Sequence, residues 1–391
     1  MPTAPPIAEL RDLVAARLDR YMAELRRLVA IDCGSYTPEG VNRVAAFCAE
    51  TLAELGADVA RIPHAARPGE PQLGDLVVGR LDGEGPRLVL IGHMDTVFDP
   101  GTAAERPYRE AGGRAYGPGV TDMKAGLLAG FHAIAALHAA GVRPRITFVC
   151  NPDEEIGSPF STPVIRNLAA EHDVALVLEC ARANGDIVSA RKGIADVRAR
   201  FRGRAAHAGI EPEKGRSAVL AAAHATIALH ALNGRWPSVT LNVGTARGGT
   251  RPNVVAAEAE LEIDLRASSS DEFEAGWAAL EETLRTPAVE GVETTVERTA
   301  SHPPMERSAS SARLVGLAQR IAAELGFELR DAATGGASDA NTTSAAGLPT
   351  LDGLGPIGGD DHSADEWLDL DSIVPRTALL AALLARIDEV P

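Results

Sequence analysis

The run Val89-Leu90-Ile91-Gly92-His93-Met94-Asp95-Thr96-Val97 ends a short apolar strand on a histidine and, two residues on, an aspartate. Alternation along an extended chain turns both side chains the same way. Asp95 is then placed to hydrogen-bond the back of the His93 ring, which is how a metal-binding imidazole is held in one tautomer. Read alone, the segment fits a capping or core histidine better than a metal ligand. Four more segments follow the same plan. Asp122 comes after the Gly117-Pro118-Gly119 loop and just before a helical stretch, where an N-cap aspartate is the plain alternative. Asp153-Glu154-Glu155 leaves the strand-like run Ile146-Thr147-Phe148-Val149-Cys150, and a solvated acidic face is its plain alternative. Glu179 ends Val174-Ala175-Leu176-Val177-Leu178, a place where a carboxylate is costly to bury unless it is paired or bound to metal. His362 lies in the loop Gly358-Gly359-Asp360-Asp361-His362-Ser363.

Each segment is ambiguous by itself. Together they supply two histidines and three or more carboxylates, nearly all on loops that follow strands, the edge of an open α/β sheet where ligands bind. Mixed imidazole and carboxylate donors suit zinc and similar divalent ions, and one carboxylate can bridge two such ions at about 3.5–4 Å. The combined reading is a dinuclear metallohydrolase. Hydrolysing an amide needs a water made nucleophilic and a carbonyl made electrophilic, with a nearby carboxylate to move the proton. Of the adjacent Glu154 and Glu155, spacing leaves open which binds metal and which acts as base.

GHMDTV, GPGVTDMKAG, NPDEEIGS, LEC and GGDDHSADEW occur in the order seen in M20 metallopeptidases, which the chain resembles over nearly its whole length. The nearest look is to the glutamate carboxypeptidase (carboxypeptidase G2-like) branch. The resemblance implies that His93 and Glu179 hold one zinc, that Glu155 and His362 hold the other, and that Asp122 bridges them. It implies Asp95 as the residue that orients His93 and Glu154 as general base. By the same resemblance His207, in Gly203-Arg204-Ala205-Ala206-His207-Ala208-Gly209, is an oxyanion donor reaching the site of the other subunit in a dimer; a surface histidine is the alternative. Asn253 matches a substrate-contacting residue. Arg266 resembles the arginine that grips the substrate's carboxylate, a task suited to a planar guanidinium. A salt bridge from Arg266 to Asp264 is its alternative. Lys192 is a further candidate for the same purpose, and Gly335-Gly336-Ala337 resembles the glycine-rich loop lining the substrate pocket, with Ala337 where many relatives have glycine.

The elements that must position these residues alternate. Helical periodicity marks Glu9–Ile31 and Val41–Leu55, and strands are expected at Asp75–Arg80 and Arg87–Ile91. Helix Lys124–Ala140, strand Arg145–Cys150, helix Thr162–Glu171 and strand Val174–Glu179 follow, an α/β pattern with helices on both sheet faces. From Ile194 the order becomes β-α-β-β-α-β: strand Ile194–Phe201, helix Gly215–Leu232, strand Ser238–Thr245, the strictly alternating Val255–Leu265, helix Ser270–Arg285 and a strand near Val292–Thr299. That is the ferredoxin-like arrangement. The expected fold is a phosphorylase/hydrolase-like zinc exopeptidase domain, residues 1–193 and 303–391, interrupted by a lid and dimerisation domain at 194–302.

Composition narrows the partners. Of 391 residues, 45% are hydrophobic and 24% charged, the usual range for globular proteins, and 38 basic against 54 acidic residues leave a net charge of −16. That balance disfavours nucleic acid and anionic membranes as partners, while a local lysine or arginine can still receive an anionic substrate. The four cysteines lack a C-x-x-C spacing and read as reduced, buried thiols. Ala125–Ala140 is apolar but interrupted by His132 and His138, a buried helix rather than a membrane span. The terminal Met1-Pro2-Thr3-Ala4-Pro5-Pro6 lacks the pattern of a leader, and a cytoplasmic location is expected. The expected activity is release of a C-terminal amino acid, glutamate by preference, from an N-acyl or peptidyl conjugate, with two zinc ions and cobalt or manganese as substitutes. An N-acyl-amino-acid deacylase or dipeptidase on the same scaffold is the alternative, and a non-catalytic metal-binding protein a remote one. A nucleotide-binding protein or serine hydrolase is disfavoured, because G-x-G-x-x-G, the P-loop pattern and G-x-S-x-G do not occur at the required places.

Overall fold

The computed structural model describes residues 4–286 and 288–389; Met1, Pro2 and Thr3 of the terminal stretch read above lie outside the described residues. In chain order the first elements are α1 (Ile7–Ala15), α2 (Leu18–Val29), α3 (Pro38–Glu54), β1 (Asp58–Ile62), β2 (Leu76–Leu81) and β3 (Glu84–His93). They continue through α4 (Thr102–Glu105), β4 (Arg109–Ala111), β5 (Arg114–Tyr116), α5 (Ala125–Ala139), β6 (Pro144–Asn151), α6 (Thr162–Glu171), β7 (Val174–Val177) and β8 (Ile187–Arg191). Next come β9 (Gly193–Arg202), α7 (Ala218–His230), β10 (Thr240–Gly248), β11 (Glu258–Ala267), α8 (Ser270–Arg285) and β12 (Glu293–His302). The last stretch holds α9 (Ala309–Leu325), β13 (Asp331–Thr334), α10 (Asp339–Ala345), β14 (Thr350–Leu351), β15 (Gly358–Gly359), β16 (Trp367–Asp369) and α11 (Ile373–Arg386).

The chain divides into two compact units. One holds the residues up to Ser189, Arg307–Ala333 and those from Ser338 on; the other holds Ala190–Glu306 and Thr334–Ala337. The first unit is built on a six-stranded sheet in the order β1-β2-β6-β3-β7-β14, with β6, β3, β7 and β14 parallel and β2 antiparallel to both its neighbours, β1 and β6. Leu88–His93 of β3 and all of β7 are buried, as a strand covered on both faces must be, so these runs carry no polar alternation. By length and composition Val120–Ala139 could span a bilayer, but 94% of its apolar window is buried, which makes α5 a core helix. Gly126 lets α5 settle on the end of β7: a Cβ there would lie 1.9 Å from the Leu178 carbonyl oxygen. Beside the main sheet, β15-β16-β5-β4 form a small antiparallel sheet.

The second unit is a four-stranded antiparallel sheet in the order β10-β11-β9-β12, with α7 and α8 packed on it. Ala259, Leu261, Ile263 and Leu265 are buried while the intervening acidic residues are not, as period-two alternation requires.

Several elements differ from the sequence expectation. The periodic stretch Glu9–Ile31 is two helices, because the Arg17 amide bonds the Val14 carbonyl at 3.0 Å and tightens the chain into a turn. The alternating strand begins at Glu258 rather than Val255; the Val255 amide and the Ala257 carbonyl are bonded to Ala206 and Gly203 of a separate loop instead. β7 stops at Val177, two residues before Glu179. α7 begins at Ala218, where the Ser217 hydroxyl accepts the Leu220 amide, rather than at Gly215.

Candidate metal centre

β3, β6 and β7 are parallel neighbours, so the loops at their C-terminal ends emerge along one edge of the sheet. His93 closes β3, Glu154 and Glu155 form a single 3₁₀ turn just after β6, and Glu179 follows β7. Asp122 follows β5 of the small sheet, and His362 lies in the loop joining its strands β15 and β16. Asp122 caps no helix; it precedes α5 by three positions, and its side chain turns to the histidines.

The ligand-type atoms fall into two groups with one member in common: His93, Asp122 and Glu179 in one, and Asp122, Glu155 and His362 in the other. His93 Nε2 lies 3.0 Å from Asp122 Oδ1 and 3.7 Å from Glu179 Oε1. His362 Nε2 lies 3.1 Å from Asp122 Oδ2 and 3.1 Å from Glu155 Oε2. The two oxygens of Asp122 thus face different histidines. Mixed nitrogen and carboxylate donors at this spacing, with one carboxylate common to both groups, fit a pair of divalent cations.

The electrostatics ask for positive charge. Burial alone would push the His93 imidazole down, but Glu179, Asp122 and Asp95 push it well above its ordinary value. Bonds to Asp122 and Glu155 raise His362 to about 11. Asp122, despite burial, is held well below the carboxylate range by the two histidines. Glu154 is pushed well above it, first by burial and then by Glu179, Glu155 and Asp339.

Asp95 is buried and accepts the amides of Glu154 and Glu155, each at 3.1 Å, and the Ser35 hydroxyl at 2.6 Å. Its tie to His93 differs from the simple expectation. The nearest oxygen to His93 Nδ1 is the Asp95 main-chain carbonyl at 3.0 Å, with the carboxylate at 3.5 Å. Behind the Glu154–Glu155 turn, Asn151 donates to Asp339 at 2.6 Å and to Ser158 at 2.8 Å, while Ser161 donates to Asn151 and Asp153. Ser158, Asp360 and His362 occupy the left-handed region at φ 53°, 57° and 62°, a sparsely populated conformation for non-glycine residues that concentrates at functional loops.

The remaining residues singled out by sequence belong to the second unit. His207 and Asn253 are exposed and lie on paired backbone, with the Ala208 amide donating to the Asn253 carbonyl at 3.0 Å and His207 bridged to Val254. Arg266 forms the salt bridge to Asp264 at 2.9 Å and also donates to the Gly335 carbonyl at 2.9 Å. Arg191 donates to the Gly336 carbonyl at 3.1 Å, and Lys192 donates to the Ser238 carbonyl at 3.2 Å. Sequence reasoning passed over Ser35, Lys124, Asp339 and Glu366. Lys124 is buried and donates to the Ile31 and Pro118 carbonyls at 3.3 and 2.9 Å, so it pins the loop ahead of Asp122. A lysine beside a glycine-rich loop and a carboxylate directly before Trp367-Leu368 were the available signals.

Residues 89–386 match the profile of peptidase family M20/M25/M40. The chain belongs to that family. Carboxypeptidase G2 of a Pseudomonas species is 32% identical over 389 residues, covering 97% of this chain and 92% of that protein. Succinyl-diaminopimelate desuccinylase of Methylorubrum populi is 28% identical over 377 residues, covering 91% and 96%. Among solved structures, the M20 metallo-carboxypeptidase Sso-CP2 of Sulfolobus solfataricus superposes with a TM-score of 0.76 at 16% identity, covering 93% of this chain and 98% of that one. At that identity the likeness shows the fold alone. This M20 chain is a metallopeptidase or amidohydrolase.

Proposed function

We propose that the chain is a two-zinc exopeptidase that releases a C-terminal amino acid, glutamate by preference, from N-acyl or peptidyl conjugates. The observation that carries this reading is the pair of ligand groups sharing Asp122, one oxygen toward each histidine. In it His93 and Glu179 hold one ion, Glu155 and His362 the other, and Asp122 both. Bound there, the ions would polarise the scissile carbonyl and lower the pKa of a water to about 7. Glu154 takes the proton of the attacking water and passes it to the leaving nitrogen. Asp95 keeps the Glu154 turn and the His93 ring in place through its amide and imidazole contacts. His207 serves as oxyanion donor, while Asn253, Arg266, Lys192 and the Gly336 loop contact the substrate. The carboxypeptidase reading draws support from the 32% identity to carboxypeptidase G2 over 97% of the chain. A homodimer through the second unit and a cytoplasmic location complete the proposal. Val219, Leu220 and Ile227 of α7 are 41, 50 and 70% exposed, an apolar set suited to covering by a second copy.

The test is hydrolysis of matched N-acyl-glutamate, N-acyl-leucine, N-acyl-arginine and dipeptide substrates by zinc-loaded and chelated protein. Chelator-sensitive release favouring glutamate is expected. Preference for another member would discard the glutamate assignment while keeping the hydrolase, and turnover insensitive to thorough chelation would discard the metal chemistry.

A further inference from the structure

We propose that Glu366 is a positioning residue that sets the shared Asp122 between its two histidines. The carboxylate is 2% exposed and accepts three main-chain amides of the Asp122 loop. Its Oε2 takes the Gly119 amide at 2.9 Å, and its Oε1 takes those of Thr121 at 2.9 Å and Asp122 at 3.1 Å. All three donors sit where water is scarce, and an amide left unpaired there costs free energy. A single side chain therefore fixes the path of the loop up to and including the residue that bears the shared carboxylate.

Glu366 also joins the two ligand loops. It lies four residues after His362 and immediately before β16. β16 pairs with β5 through Trp367 and Tyr116, so the segment carrying His362 and the segment leading to Asp122 are laced together directly after Glu366. Gly358, just ahead of His362, fits against Thr121 so closely that a Cβ there would stand 1.9 Å from its hydroxyl oxygen. Since Asp122 Oδ1 faces His93 and Oδ2 faces His362, a slip of this loop would disturb both groups at once. Glu366 touches neither histidine in any hydrogen bond described above; it acts through the backbone of Asp122.

The inference rests on the two-metal reading, and the experiment separates the two. Zinc stoichiometry and affinity are measured by competition with a chromogenic chelator, and the visible spectrum of the cobalt form is recorded, for the wild type, Glu366→Gln and Arg114→Ala. Glu366→Gln keeps the length but turns an N–H toward one of the amides. Arg114→Ala removes the guanidinium stacked 3.7 Å over the Trp367 ring, loosening the β5–β16 pairing without touching the Asp122 loop amides. Wild type with two ions, Glu366→Gln binding both about 10–100-fold more weakly with an altered cobalt spectrum, and Arg114→Ala binding as wild type are expected. Wild-type affinity in Glu366→Gln, or equal weakening in both variants, overturns the positioning role. If Glu366→Gln does not fold, Glu366→Asp, which keeps the charge one carbon short of the amides, is read by the same criteria. A wild type that binds fewer than two ions sinks the two-metal reading and this inference with it.

Discussion

Asp95 holds two consecutive amides and a hydroxyl with its buried side chain and meets the His93 imidazole with its main-chain carbonyl, which makes it the joint between the His93 strand end and the Glu154–Glu155 turn. Asp95→Asn places an N–H where an oxygen is needed, and a loss of roughly 10–100-fold in kcat/KM is the expected result in steady-state assays. Substitutions at Glu154 and Asp122 distinguish the proposed base from the proposed ligand. Glu154→Ala should retain both metals while losing on the order of 10²–10⁴-fold in kcat, whereas Asp122→Ala should lose metal, as read by elemental analysis beside the assay. Equal metal loss in the two variants would reverse the roles assigned to Glu154 and Glu155. His93, Glu154, Glu155 and Glu179 were legible because each ends or follows an apolar run where a polar group is costly, while Asp122 and His362, in glycine-rich loops, were legible through the motifs around them. Ser35, Asp339 and Glu366 were not, because their partners are main-chain amides or side chains far along the chain, and a sequence displays neither.

Among the elements, α6 and α8 match the expected bounds to the residue, since a Ser or Thr start and a clear apolar stripe mark both ends. The break between α1 and α2 leaves no such trace: no proline or glycine separates them, and it depends on a main-chain bond at Arg17. α11 hides another feature. Arg376 is fully buried and donates to the carbonyls of Gly355, Gly185 and Gly353, and the Gly355 amide in turn donates to the Glu179 carbonyl. Arg376→Met strands three carbonyls, and a loss of roughly 3 kcal/mol or more in denaturant unfolding is expected. The turn after β6 carries a pH dependence. Burial, helped by Asp95 and Asp339, raises Asp153 from 3.8 to about 7. The folded chain then holds a proton that the unfolded chain releases between these values. That contribution is whole below about pH 4 and is lost as pH rises through 7. In the metal-free protein, unfolding free energy should fall with rising pH across this window by up to ~1.4 kcal/mol per unit more than in Asp153→Asn.

At the scale of the whole molecule, the proposed dimer makes a direct prediction. Ile227→Asp puts charge into the exposed apolar set on α7, and light scattering should show a protein of half the wild-type mass with its secondary structure unchanged. A wild type that is already monomeric would remove the proposal. The alternation of buried and exposed residues made the second unit legible as β-α-β-β-α-β, while the small sheet beside Asp122 escaped notice because its strands are two or three residues long. The order of the ligands along the chain has one more consequence, for biosynthesis. His93, Asp122 and Glu179 are all translated before the second unit begins, whereas His362 and Glu366 leave the ribosome only after it is complete. Five of the six strands in the main sheet precede that point, and only the edge strand β14 comes later. A nascent chain can therefore present the first trio of donors well before His362 arrives to complete the second.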